Sequence, residues 1–209
     1  MIPVKVLAVR YLANASSALA KGLGAPKGYP SLAMLTTDCD DATYIALDAA
    51  TKAADVQVSY GRSFYAGAAN ASTPNAGEVI GILAGATPSA VRSGVEAALG
   101  TLQRIGFEEV NGVPYLAHTV ASVGSFLAKE AGVSAGSAVA YLIAPPLEGM
   151  YAMDAALKAA DVKLCKLYAP PSETNFGGGL LSGTQSACEA ACAAFAQSVA
   201  EVARMPIEG

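Results

Sequence analysis

The chain has 209 residues, of which 53% are hydrophobic and only 14% charged, and its formal net charge is −4. The negative charge and the absence of a Lys/Arg cluster argue against nucleic acid as a partner. No apolar run approaches the roughly 20 residues that span a bilayer, so no membrane association is predicted. An ordinary domain has about 25% charged residues. The shortfall predicts an oligomer that buries apolar surface again between its subunits.

The first half of the chain reads strand, short helix, strand, helix, strand, strand, helix. The predicted elements are Val4 to Tyr11, Ser17 to Gly22, Leu32 to Thr36, Ala42 to Ala54, Val56 to Tyr60, Glu78 to Ala84 and Pro88 to about Gln103. Asp41 is the predicted N-cap of the second helix, and Thr87 followed by Pro88 opens the third. The segment Gly61 to Gly77 is rich in small and polar residues and is predicted to be a loop.

The second half repeats the same order of elements. They are Val113 to Val120, Gly124 to Ala131, Ala138 to Ala144, Met150 to Ala160, Val162 to Tyr168, Leu180 to Leu181 and Thr184 to Arg204. A Pro/Gly-rich loop is predicted at Ala169 to Gly179. Alternation of strands and helices predicts an α/β (α+β) fold with helices packed on small sheets.

An internal repeat accounts for this parallel. Residues 46–56 return as residues 152–162 with nine of eleven positions identical, and further matches run through nearly the whole chain. A period of half the length indicates two tandem copies of one module. We assign the first domain to residues 1–107 and the second to residues 108–209.

The repeated block Asp-Ala-Ala-x-Lys-Ala-Ala-Asp-Val resembles the signature helix of bacterial microcompartment shell domains. In the ordinary domain that helix lies near the start, whereas here a strand and a short helix precede it in both copies. This order resembles the circularly permuted form, and two copies in one chain resemble the tandem trimeric class. Longer strings are similar to the ethanolamine-utilisation branch; they are Asp38 to Ala46, Tyr60 to Ala68, Tyr141 to Glu148 and Ala169 to Phe176.

The resemblance implies two permuted shell domains, each a small, mainly antiparallel sheet with packed helices. It implies a structural shell tile in a cytoplasmic microcompartment, where a homotrimer imitates a hexamer and packs edge to edge with other shell proteins. A gated central pore would pass metabolites or cofactors. Neither a catalytic residue nor a bound cofactor or metal is expected.

Acidic residues at the end of the second strand form the most distinctive polar group. Asp38, Asp40 and Asp41 repel one another unless a cation or helix amides compensate, and helix capping with a solvated turn is an alternative explanation. In the resembled proteins a small pore in each subunit binds ethanolamine. Carried over by motif, its lining is Asp40, Glu78, Phe107, Ser182 and Gly183. An ammonium group suits carboxylates and an aromatic face, and a hydroxyl suits a serine.

The two long loops are ordinary surface connections or functional segments. In the resembled shell proteins they form the central pore. Arg62 and Ser63 would then give polar lining, and Phe64 and Tyr65 could plug the opening. The segment Gly177, Gly178 and Gly179 would supply backbone freedom for gating.

Lys52 and Lys158 occupy matched positions in alanine-rich helices. Either they are solvated surface lysines or, as the resemblance implies, they lie at the tile edge, with an apolar stem that packs against the next tile.

Two other functional classes, an enzyme and a metabolite sensor, are alternatives to the shell tile. An enzyme would recruit Asp38, Asp40, Glu78 and His118, but no nucleophile–base pair or phosphate loop is recognisable. His118 is more simply a strand residue, and Cys188 and Cys192 small buried residues. A metabolite-binding oligomeric sensor that does not tile is a further alternative.

Overall fold

The computed structural model describes residues 1–64, 78–170 and 175–207. Within these residues no helix is both long and apolar enough to cross a bilayer.

The chain divides into two compact units. The first unit comprises Pro3–Gly106 together with Gly124–Leu127, and the second comprises Met1–Ile2, Phe107–Val123 and Ala128–Gly209. A short piece of the second repeat is thus part of the first unit.

The first unit contains an antiparallel sheet and helices that follow its strands. Its elements are β1 (Val6–Leu12), α1 (Ser17–Gly22), β2 (Ser31–Thr37), α2 (Asp40–Ala53), β3 (Val56–Ser63), β4 (Val79–Gly85) and α3 (Pro88–Leu102). The strand order is β1-β2-β4-β3, and all neighbours are antiparallel.

The second unit repeats this topology with one added strand. The elements of this part of the chain are β5 (Glu108–Val110), β6 (Val113–Val120), α4 (Ser125–Ala131), β7 (Ala138–Ala144), α5 (Pro146–Ala159), β8 (Val162–Tyr168), β9 (Gly177–Gly183) and α6 (Gln185–Arg204). The strand order is β5-β6-β7-β9-β8. Without β5 it matches that of the first sheet. The predicted repeat and the α/β class with antiparallel sheets are therefore confirmed.

Each unit has a core between its sheet and its longer helices. In the first unit Gly81 lies so close to Leu47 of α2 that a Cβ would come within 2.6 Å of the leucine side chain. A glycine there lets the helix pack directly on β4. In the second unit Phe195 of α6 is fully buried, and Cys188 and Cys192 on the same helix are buried with it, as predicted.

Helix starts were predicted with mixed success. The Thr87 side chain accepts a hydrogen bond from the Ala90 amide and Pro88 opens α3, as predicted. The prediction that Asp41 caps α2 is wrong, because Asp40 already begins the helix. Cys39 is the N-cap residue and has no side-chain cap bond. The carboxylate of Asp40 accepts the Asp41 amide at 2.9 Å, which satisfies one free donor of the first turn.

The predicted loops are shorter than the sequence suggested. Residues 61–63 continue β3, and Arg62 pairs with Ile80 of β4. Gly177, Gly178 and Gly179 begin β9 and are buried, so their assignment to a loop is wrong. Residues 65–77 and 171–174 lie outside the described residues.

Gly178 shows why glycines stand in this strand. Its φ is +153°, and a Cβ there would meet the Leu142 carbonyl oxygen of the neighbouring β7 at 1.9 Å. Only glycine allows the two backbones to approach this closely. These glycines therefore allow close packing of strands, although a run of glycines is also typical of a loop.

Candidate functional site

The acidic cluster lies where β2 passes into α2 and beside the start of β4. Asp38 follows β2, Asp40 and Asp41 form the first turn of α2, and Glu78 directly precedes Val79 of β4. The Glu78 amide donates to the carbonyl of Thr37, the last residue of β2, at 2.7 Å. Backbone pairing therefore brings Glu78 to the same end of the sheet as the aspartates.

Asp40 is buried within the first unit. Burial raises the pKa of its carboxyl above the ordinary value, and hydrogen bonds from the Ser63 hydroxyl and the Asp41 amide offset part of this rise. The Ser63 hydroxyl also lies 2.5 Å from the Tyr44 hydroxyl. A line of polar groups thus runs from Tyr44 of α2 through Ser63 of β3 to Asp40.

Glu78 is half-buried, and its pKa is also raised. Burial raises its pKa to about 7, and the charges of Asp40 and Asp38 push in the same direction. Two carboxyl groups with raised pKa values on one unit form a place that a proton or a small cation would stabilise.

Residues between these carboxylates have structural roles. Thr37 accepts the Cys39 amide at 3.2 Å, and its hydroxyl lies 2.7 Å from that of Thr43. Burial raises the pKa of the Cys39 thiol, and the nearby aspartates add to the rise. Such a thiol stays protonated and unreactive at neutral pH.

Asp38 is exposed and is held by the chain's own backbone, since its carboxylate accepts the Lys5 amide at 2.7 Å. Within the described residues no group of three or more His, Cys, Asp or Glu side chains is arranged to hold a metal ion. His118 lies in β6 opposite Tyr141 of β7, a strand position as predicted.

The other predicted ethanolamine residues belong to the second unit. Phe107 is buried, and its ring centroid lies 5.8 Å from that of Phe176. The Ser182 hydroxyl donates to the carbonyl of Ala138 at 2.9 Å, so its oxygen can still accept a hydrogen bond from a ligand. A Cβ at Gly183 would meet the Asp161 carbonyl oxygen at 2.8 Å, which favours glycine for packing. Asp40 and Glu78 share the first unit, and these three residues share the second.

The described pore candidates lie on strands or at their ends. Arg62 stands in β3, with its guanidinium 6.0 Å from the Tyr60 ring centroid. The Phe64 amide donates to the Glu78 carbonyl at 2.8 Å, which ties this residue to the acidic end of the sheet. Tyr65 lies outside the described residues. Gly177 to Gly179 are fixed in β9, as described above.

The matched lysines differ in their surroundings. Lys52 Nζ lies 3.4 Å from the carboxylate of Asp48, which is fully buried. Lys158 pairs with Asp154 at 2.5 Å, and both of these side chains are exposed. The prediction that both lysines lie at a tile edge stays a prediction.

Asp48 is an important residue that sequence reasoning passed over. Its carboxylate accepts the Gly124 amide at 2.7 Å and the Leu127 amide at 2.9 Å, within the first unit. The signal that could have found it is the repeat itself, because both copies have an aspartate at the same helix position, four residues before the matched lysine.

Comparison with known proteins shows the family to which the chain belongs. A model of the BMC domain matches residues 31–118. The bacterial microcompartment shell protein EutL of Clostridium perfringens is 55% identical over 99% of this chain and 97% of its own length. EutL of Escherichia coli is 46% identical over 100% of this chain and 97% of its own length. The chain belongs to the EutL family of bacterial microcompartment shell proteins.

The fold agrees with the family at full length. The crystal structure of the ethanolamine utilization protein EutL from Leptotrichia buccalis superposes with a TM-score of 0.95, at 55% identity, and covers 100% of this chain and 98% of that one. The BMC match begins at the first residue of β2 and ends within β6. This is the order expected when β1 and α1 have been moved ahead of the ordinary domain start. The prediction of a tandem permuted shell fold is confirmed.

Proposed function

We propose that this chain is a structural, non-catalytic tile of a microcompartment shell and that it assembles as a homotrimer. Full-length identity of 55% to a shell protein supports this role. Two copies of one module per chain would give three chains six modules around an axis, which makes a pseudohexamer able to pack edge to edge with other shell proteins. The low charged fraction of 14% fits a chain that buries surface between subunits.

Light scattering and electron microscopy test the tile. We expect a mass of three times the 20.9 kDa chain and flat two-dimensional arrays when the protein is concentrated. A trimer that stays as discrete particles under all array-forming conditions would favour the metabolite sensor.

We also propose that the tile binds ethanolamine through Asp40 and Glu78. Support comes from the raised pKa values of both carboxyls, because an ammonium group would relieve the cost of ionising them. Phe107, Ser182 and Gly183 stay predicted members of the lining on the basis of the family motif. The oxygen of Ser182 could accept a hydrogen bond from the ligand hydroxyl.

Calorimetry at pH 6 and pH 8 tests this binding. Glu78 has a pKa of about 7, so it is mostly protonated at pH 6 and mostly ionised at pH 8. The affinity for ethanolamine should therefore rise with pH, and binding near pH 7 should release protons. Asp40→Asn and Glu78→Gln should each weaken binding at pH 8 by roughly fivefold or more. Glu96→Gln, which changes an exposed acid in the middle of α3, is the matched control. Equal affinity in the wild type and all three variants would mean that ethanolamine binds at another site.

A gated central pore is the third part of the proposal, with Arg62, Ser63, Phe64 and Tyr65 at the opening. Gly177 to Gly179 are packed against neighbouring backbones, so we assign them a fixed supporting role and place any movement in other residues. Crystal structures with and without ethanolamine test the gate. Identical positions of residues 62–65 in both would indicate a rigid opening.

A further inference from the structure

The repeated helix is exposed to different extents in its two copies. Asp48 of α2 and Asp154 of α5 occupy equivalent positions, yet their side chains are 0% and 65% exposed. The contrast continues one turn earlier, because Ile45 is buried and its equivalent Tyr151 is exposed. In a single chain, α2 is covered along a face that α5 leaves open.

A short segment of the chain helps to cover α2. The amides of Gly124 and Leu127 donate to the Asp48 carboxylate, and the Ser125 amide donates to the Thr51 hydroxyl at 3.1 Å. These residues belong by sequence to the second repeat but lie in the first unit. The backbone amides at the start of α4 thus bind an aspartate of the repeated helix.

The adjacent aromatic contact belongs to the same interface. The ring of Phe126 packs on Tyr44 of α2 with centroids 5.8 Å apart. Leu127, which follows it, is only 1% exposed. Apolar burial and hydrogen bonding therefore act together on this face of α2.

The first repeat contains the matching segment without such a contact. Residues 124–127 correspond to residues 16–19 at the repeat offset of 108 residues. Leu19, the equivalent of Leu127, is 45% exposed, and Ser16, Ser17 and Ala18 are exposed with it. Among the described residues, the α5 face around Asp154 and the segment 16–19 are therefore exposed, and each is the equivalent of a partner in the contact made at α2.

We propose that the exposed face of α5 binds residues 16–19 of a second copy of this chain. In this contact Asp154 accepts the backbone amides of Ser16 and Leu19 and replaces the Ser16 hydroxyl, which accepts the Leu19 amide at 3.3 Å within the chain. Leu19 becomes buried beside Tyr151. The inference rests on the proposed homotrimer and names the contact that would join its subunits. The contact is head-to-tail, since one subunit contributes α5 and the next contributes α1. Such contacts form a closed ring when the rotations between successive subunits add up to a full turn.

Apolar exposure and charge both support a second copy as the partner. Leu147 and Tyr151, four residues apart on α5, are large exposed apolar side chains, and so is Leu19 on α1. Clustered apolar side chains are costly to leave in water. Asp154 is equivalent to Asp48, whose carboxylate accepts the amides of the segment that corresponds to residues 16–19. By analogy with Lys52, which is part-exposed beside Asp48, Lys158 would sit at the rim with its ammonium still accessible.

A charge swap tests the contact at the level of residues. Asp154→Lys removes the acceptor, and Ser17→Glu places a carboxylate beside Asp154 of the neighbour. Glutamate at the first position of α1 favours the helix itself, so the fold of the chain should tolerate this variant. Each single variant should raise the subunit dissociation constant at least about tenfold, and the double variant should recover most of that loss.

The control is Glu96→Lys, an equal charge change at an exposed position in the middle of α3. It should associate like the wild type. Light scattering over a dilution series gives the dissociation constants, and circular dichroism verifies that each variant is folded. Hydrogen exchange on the unmodified chain gives a second readout. The amides of residues 16–19 and 151–158 should become protected together as concentration rises.

The outcomes separate this inference from the proposed trimer. A wild-type trimer that is unaffected by changes at residues 17 and 154, or a double variant that stays as weak as the single ones, would overturn the inference alone. A wild-type chain that is monomeric at every concentration would remove the trimer, and with it this contact.

Discussion

Single residues carry the electrostatic features of this chain. Glu78 is half-buried near two aspartates, and its pKa of about 7 lies well above the ordinary value of 4.5. Between pH 4.5 and 7 the folded chain therefore holds a proton on Glu78 that the unfolded chain has lost. Stability contributed by this group must fall as pH rises through that window.

Glu78→Gln should remove this pH-dependent penalty. We expect the variant to be more stable than the wild type at pH 8, on the order of 1 kcal/mol because solvent screens a half-buried group. The advantage should shrink below pH 7 and vanish near pH 4.5. Urea unfolding at pH 5, 6.5 and 8, at one protein concentration, measures it. Equal wild-type and variant stability at all three values would show that Glu78 is ionised without cost.

The loss of Asp48 should be costly to the first unit. Its buried carboxylate accepts two backbone amides. In Asp48→Asn the amide group would face one of these donors, and the charge that strengthens both bonds would be lost. We expect a loss of about 2–3 kcal/mol in the free energy of unfolding.

The comparison for Asp48 is Asp161→Asn at an exposed position, which should change stability by less than about 0.5 kcal/mol. Chemical denaturation of both variants gives the difference. Similar values for the two would mean that water replaces the Asp48 contacts.

At the scale of elements, β9 depends on glycine for its packing. Gly178→Ala would drive a Cβ into the Leu142 carbonyl and demand a φ that side chains disfavour, so β7 and β9 could not pair as they do. We expect a loss of at least about 3 kcal/mol, or a failure to fold. Gly100→Ala is the control, since its Cβ would meet only the flexible Arg104 side chain at 3.8 Å.

Gly100 lies inside α3, where alanine should stabilise the chain by about 0.5–1 kcal/mol. The midpoint temperature of unfolding should thus fall for Gly178→Ala and rise for Gly100→Ala. If Gly178→Ala is as stable as the wild type, the backbone of residues 177–179 can adjust to a side chain, as a loop would.

At the scale of the whole molecule, the matched lysines test tiling. Lys52→Ala combined with Lys158→Ala should keep the trimer but abolish flat arrays, because each change removes an apolar stem and its charged tip from the proposed edge. Alanine is the appropriate change, since an acid at residue 52 would stand near the buried Asp48.

The arginine pair Lys52→Arg and Lys158→Arg should still form arrays at higher protein concentration. Electron microscopy of concentrated protein shows the arrays, and light scattering shows the trimer. Arrays that persist in the alanine pair would make both lysines ordinary solvated residues.

The sequence by itself determined the repeat, the element order and the family. The nearly identical segments 46–56 and 152–162 predict two similar helices, and hydrophobic periodicity locates the strands, because both signals are local. β6, β7 and β8 were predicted residue for residue. The acidic cluster was visible as well, since three aspartates lie within four residues.

Only the tertiary structure decided which residues touch across the chain. The glycine run Gly177 to Gly179 has loop composition, and its place in a buried strand follows from how closely β7 and β9 approach. Asp48 and Asp154 are equivalent in sequence, yet one is buried and the other exposed, because residues 124–127 cover the first copy. Sequence identity between two repeats fixes their local structure, whereas burial depends on which neighbour reaches each copy.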